Sequence, residues 1–119
     1  MMKNLPFNKR LANALQGLLH ALRHERSLRF HALGAFAVFA AILILRPGYL
    51  WSAILILTVG TVLTAELFNT ALETLVDHLH PERHEKIRIV KDCAAAAVLL
   101  AAMMAVGVAL AFTLTFFTD

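Results

Sequence analysis

Charge is what this 119-residue sequence has least of: 16% of it is Asp, Glu, Lys or Arg, against about 25% in soluble domains. From residue 93 to 118 there is no charged side chain at all. Cysteine is nearly absent too, and the single Cys93 excludes an intrachain disulfide. It reads as a small apolar residue at a helix start. The five glycines form no phosphate-cradling loop, which sets aside the soluble nucleotide-binding folds. No basic stripe with interleaved aromatics is present, so no nucleic-acid partner is expected. Nor does an apolar stretch follow closely behind the first basic residues, so no cleaved signal peptide is expected.

What is present is apolar, at 60% of the residues against the ~45–50% usual for soluble proteins. The length allows at most one domain. About 20 apolar residues span a bilayer core, and the run 93–118 exceeds that. Two further runs, 30–45 and 49–65, lie near the ~17-residue lower limit. We therefore expect an all-α membrane protein: an amphipathic interfacial helix over 6–29, spans over 30–46 and 49–66, and a third over 92–117. The second span continues as a helix to about residue 80, where Pro81 ends it.

In the first segment Leu11, Ala14, Leu15, Leu18, Leu19 and Leu22 keep helical spacing, while Lys9, Asn13, Gln16, His20 and His24 face away. Such a helix lies in the membrane interface. Glu25 and Arg29 project onto its apolar stripe, at about 320° and 0° from Leu11, where a charge is expensive without a partner. Two accounts stand: an i, i+4 pair between them, or a Glu25 pointing into the bundle to meet a cation.

His31 opens the first span, Arg46-Pro47-Gly48 turns it back, and Tyr49 and Trp51 are placed as interfacial anchors. Orientation follows from Lys and Arg. Six precede the first span (Lys3, Lys9, Arg10, Arg23, Arg26, Arg29), and four lie between the second and third (Arg83, Lys86, Arg88, Lys91). Only Arg46 lies on the other side. Ten against one places the N-terminus and the 66–92 stretch in the cytoplasm and the C-terminus outside. In the third span Ala97, Ala101, Ala105 and Ala109 recur every four residues, a row that lets membrane helices approach closely. Three short spans bury little alone, so self-association is expected.

The chemistry-bearing residues gather at one membrane face. Glu66, Asn69, Glu73 and Asp77 project at about 0°, 300°, 340° and 20°, a single polar stripe. From Leu50 to Glu66 the helix rises roughly 24 Å, which puts Glu66 near a surface and argues against a midplane proton or ion pathway. Downstream come His84, Lys91 and Asp92. For Asp77 and His84 a plain solvated face explains as much, and Lys91 and Asp92 also suit the start of a span. Near-membrane carboxylates such as Glu66 and Glu73 are functional by default. Oxygen ligands of this kind suit Mg²⁺ held with substrate phosphates. A lysine suits phosphate, and a carboxylate near lipid suits a general base. These are the components of phosphoryl transfer. A non-catalytic accessory membrane protein is the competing reading.

The strings ELFNTALETLVD, then ERH, then KDCAAAAVLL, with ERSLRFH upstream, resemble the prokaryotic diacylglycerol kinase family across nearly the whole chain. The resemblance implies a homotrimeric lipid kinase of the bacterial inner membrane, dependent on ATP and Mg²⁺, with active sites shared between subunits. It implies Glu66 as general base beside Asn69, and Glu25 with Glu73 as the carboxylates holding the metal on ATP. Of the two accounts of Glu25, it favours the ligand. Arg10, Asp77, Glu82, Arg83, His84, Lys91 and Asp92 would join Glu25 and Glu73 in binding nucleotide. Ser27 and Arg29 would lie with Glu66 at the lipid. ERSLRFH is similar to the E-R-N-x-R-I-H of the undecaprenol kinase branch. Ser27 replaces its Asn, however, and Glu85 follows His84 where that branch commonly has Pro. Diacylglycerol is the expected substrate and undecaprenol the alternative.

Overall fold

The structure, a computed structural model, describes residues 4–118; Lys3, counted above in the N-terminal charge, lies outside them. Four helices follow one another: α1 (Phe7–His24), α2 (Arg26–Leu45), α3 (Tyr49–Leu79) and α4 (Glu85–Phe117). The last three are long and apolar enough to cross a membrane. The expected all-α architecture, a shorter N-terminal helix followed by three spanning helices, is what the chain adopts.

The junction between α1 and α2 departs from expectation. The amphipathic helix does not run to residue 29; the backbone leaves helical geometry at Glu25, with φ −113° and ψ 110°. Glu25 and Arg29 therefore do not sit on the apolar stripe of α1, and they do not pair with each other. Arg29 Nη1 instead donates to the carbonyls of Leu22 and Arg23, both at 2.9 Å. The last carbonyls of a helix have no partner within it, and an arginine one turn into the next helix supplies the missing donor. Ala21 and Leu28 are buried on either side of the break. His20 is exposed, as expected, with its ring stacked on that of His24 at 4.2 Å between centroids, and it borders an open groove between α1 and α3. Leu11, Leu15 and Leu19 stay about half exposed, as a helix lying in an interface requires.

At the other end of α2, Arg46 takes a left-handed conformation (φ 48°) and its N–H closes onto Ile42. Gly48 follows at φ +97°, a backbone position that favours glycine. The turn makes α2 and α3 antiparallel. At about 1.5 Å per residue, α3 and α4, of 31 and 33 residues, each outrun the ~30 Å hydrocarbon core. Their charged ends therefore stand beyond the bilayer on the same side.

Three hydroxyls within the spans are satisfied locally. Thr58, Thr61 and Thr113 each donate to the carbonyl four residues back, at 2.6, 2.7 and 2.8 Å, so none is left unpaired where no water can serve it. Ala35, Leu55, Val62, Ala101 and Phe112 form the buried seam. Trp51 meets Phe112 edge-on, with ring centroids 5.3 Å apart. Of the alanine row, Ala101 is buried and Ala105 half-buried, while Ala97 and Ala109 are exposed, Ala105 and Ala109 lining an open groove. Most large side chains, among them Phe36, Leu43 and Phe68, lie on the outside. A bilayer accepts such a surface.

If Arg29 closes the break, Arg29→Ala should open it about fivefold more often. The readout is the rate of tryptic cleavage at Arg23 and Arg26 in detergent; an unchanged rate would remove the capping role.

Candidate active site

The α1–α2 break delivers Glu25 to the bundle, and the α2–α3 packing delivers Ser27 and His31. Helix α3, passing beside them, presents Glu66. This carboxylate is 4% exposed, the one charged side chain buried among the described residues. Its Oε1 accepts from Ser27 Oγ at 2.9 Å and lies against His31 Nδ1. Its Oε2 is buried without a partner. An isolated carboxylate in apolar surroundings is costly, so two donors on one oxygen and none on the other is an asymmetric arrangement.

Glu66 lines a pocket of about 140 Å³ with Glu25, Ser27, Asn69, Ala95 and Val98, among others. Asn69 Nδ2 donates to Glu73 Oε1 at 3.5 Å, one turn along α3, while Asn69 Oδ1 is buried and unpartnered. Two buried acceptors without partners, on two residues that line one small pocket, call for a donor or a cation that the chain itself does not supply. No described side chain pairs with the Glu25 carboxylate. Among the described residues no three His, Cys, Asp or Glu side chains form a closed metal cluster. An Mg²⁺ site using one or two carboxylates plus phosphate oxygens does not need one.

A second cavity, about 560 Å³, lies at the α3–α4 junction, lined by Glu82, Arg83, His84, Arg88, Lys91 and Asp92, with neighbours. His84 caps α4, its Nδ1 accepting from Lys86 N–H at 3.1 Å. Arg88 bridges Glu85 and Asp92, with 2.7 Å to the latter. Lys91 Nζ meets Asp77 Oδ1 at 2.5 Å. Both cations lie in the charged first turns of α4, ahead of its uncharged run. The hydrogen bond to Glu85 raises the Arg88 guanidinium above its ordinary value, and that to Asp77 raises the Lys91 ammonium. Each therefore stays cationic at neutral pH. Lys91 in this cavity and Ala95 in the smaller one are about 6 Å apart along α4, so the two cavities are neighbours.

The structure thus brings Glu25, Ser27, Glu66 and Asn69 together, attaches Glu73 through Asn69, and gathers Glu82, Arg83, His84, Lys91 and Asp92 around the second cavity. Asp77 joins them through Lys91. Arg10 is exposed on α1, apart from both cavities, and Arg29 is turned toward the α1 carbonyls. The residue that sequence reasoning passed over is His31, taken only as the head of a span. The available signal was its i, i+4 spacing from Ser27.

Buried carboxylate, amide and flanking cations on a three-span helical bundle define a class: a small membrane protein with a polar site at one bilayer face. The family is set by comparison. Residues 12–113 match the model of "Prokaryotic diacylglycerol kinase", and the chain belongs to that family. It is 43% identical over 94 residues to a diacylglycerol kinase of Synechocystis sp., covering 78% of this chain and 54% of the relative. Over 98 residues it is 33% identical to the undecaprenol kinase of Bacillus subtilis, covering 82% and 80%. A diacylglycerol kinase of Haemophilus influenzae is 33% identical over 88 residues, covering 74% and 75%. The chain spans about half the length of the Synechocystis relative. Arg10 falls outside the family match, while every other expected site residue lies inside it.

The Asp77–Lys91 pair is largely exposed, and such pairs stabilise little. Asp77→Ala should therefore shift the thermal midpoint in detergent by less than about 3 °C. A larger drop would make the pair structural and free Lys91 from any need of a ligand.

Proposed function

We propose that this chain is an ATP-dependent lipid kinase that transfers the γ-phosphate to the hydroxyl of diacylglycerol, giving phosphatidic acid. The observation that carries the reading is the buried Glu66 whose Oε2 is unpartnered, in a pocket shared with Glu25 and Asn69. In a member of this family, that oxygen is where a proton from a lipid hydroxyl would go. The diacylglycerol kinases of Synechocystis and Haemophilus among its relatives support this lipid. Undecaprenol is the second reading, favoured by the Bacillus relative and by the ERSLRFH segment.

Glu66 acts as general base, its Oε2 accepting the hydroxyl proton as the lipid oxygen attacks phosphorus. The lipid stays in the bilayer and raises only its head group to the pocket, since Glu66 ends the apolar part of α3. Lys91 holds phosphate oxygens as a point charge, and exchanging Asp77 for phosphate is inexpensive because the pair is exposed. Glu82, Arg83, His84 and Asp92 surround the nucleotide in the larger cavity. Glu25 and Glu73 would hold Mg²⁺, Asn69 keeping Glu73 turned toward it. Bound there, the ion would supply neutralisation of phosphate charge.

The ten-to-one distribution of Lys and Arg supports a cytoplasmic site, where ATP is found. The largely uncovered apolar faces of the helices support assembly into a homotrimer with sites completed between subunits. A non-catalytic accessory role would give no reason to bury a half-satisfied carboxylate beside Asn69.

Purified protein in lipid with ATP and Mg²⁺ should phosphorylate diacylglycerol in preference to undecaprenol in direct competition. The reverse preference selects the second reading, and transfer to neither ends the proposal. Glu66→Gln should lower kcat by at least about 100-fold with the assembled protein intact. Lys91→Met should raise KM for ATP by roughly tenfold.

A further inference from the structure

We propose that His31 and Ser27 are positioning residues, a two-donor clamp that fixes Glu66 so that only Oε2 faces the reacting hydroxyl. The inference rests on the lipid-kinase reading and extends it to a residue with no part in that reading.

The argument begins from the carboxylate. Glu66 Oε1 takes two contacts from α2, the Ser27 hydroxyl at 2.9 Å and His31 Nδ1, while Oε2 takes none. An ionised carboxylate only accepts, so in the state that acts as base His31 Nδ1 is the donor. Ser27 and His31 are one turn apart on α2, which places both donors on one face. Rotation about the final Glu66 torsion is otherwise broad and two-fold. With both donors on Oε1 the carboxylate plane is set, and Oε2 is the oxygen left for chemistry.

The same clamp supports the buried charge. Hydrogen bonds to an ionised group are the strong ones, and Glu66 has no other partner among the described residues. On α4 only Ala95 and Val98 line the pocket, and neither carries a polar side chain. His31 also lines the apolar groove that descends between the helices past Ala35, Leu55, Val62 and Ala105. It thus stands between that groove and Glu66, with its ring 29% exposed.

A positioning role is distinguished from a packing role by the kind of side chain that restores function. Against wild type, His31→Leu keeps bulk and removes the donor, whereas His31→Asn returns an amide nitrogen where Nδ1 stands. Lipid phosphorylation, KM for ATP and thermal midpoint are measured for both, and for Ser27→Ala. His31→Leu should lower kcat by about tenfold or more, with KM for ATP within about twofold and a lower midpoint, since a buried carboxylate loses one of its two donors. His31→Asn should recover most of the loss, and Ser27→Ala should lose less than His31→Leu.

An active wild type whose His31→Leu variant keeps its kcat overturns the clamp alone. So does a His31→Asn variant as slow as His31→Leu when its midpoint has returned to that of wild type. Should His31→Leu not fold, Ser27→Ala carries the test, and an unchanged kcat there overturns the clamp. A wild type that phosphorylates no lipid alcohol overturns the kinase reading and the clamp together.

Discussion

The structure depends on one buried charge. Glu66 stands where α3 leaves its apolar stretch, and removing an ion from water costs several kcal/mol unless it is hydrogen-bonded. Ser27 and His31 supply the hydrogen bonds, so α2 must pack with one face against α3. That register in turn requires α1 to end before α2 begins, and Arg29 closes the break by binding the carbonyls of Leu22 and Arg23. Glu25 reaches the pocket because of where the break falls. One carboxylate thus ties together a hinge, a helix register and a pocket.

The site divides into parts with different physical demands. Glu66 is buried and its partners sit one turn apart on α2, which suits proton transfer at a set geometry. Around Lys91 the groups are exposed and exchangeable. The Asp77–Lys91 pair and the Arg88 fork between Glu85 and Asp92 hold cations in place without committing them. Exposed pairs are weak, which suits a region that must admit a highly charged ligand. Helix α4 joins the two, with Lys91 in one cavity and Ala95 in the other.

Much of this was legible in the sequence. The uncharged runs gave the three spanning helices, and the Glu66–Asn69–Glu73–Asp77 stripe is on one face of α3 as its spacing requires. The hinge at Glu25 was not legible, because no Gly or Pro marks it. Local propensity there favours continuing the helix, and contacts with α3 decide otherwise. Projecting Glu25 and Arg29 on the wheel of α1 therefore assigned them to a stripe that does not extend that far. His31 escaped notice because its partner lies 35 residues away, and its spacing from Ser27 was the one local sign.

The central claim is that the pocket beside Glu66 is where nucleotide and lipid meet. It is tested most directly by alkylating a thiol introduced by Ala95→Cys in a Cys93→Ser background, with and without saturating ATP and Mg²⁺. Ala95 lines that pocket and is exposed. The account predicts that nucleotide slows alkylation by about tenfold or more. Alkylation at an unchanged rate, under conditions where the protein turns over ATP, would contradict it.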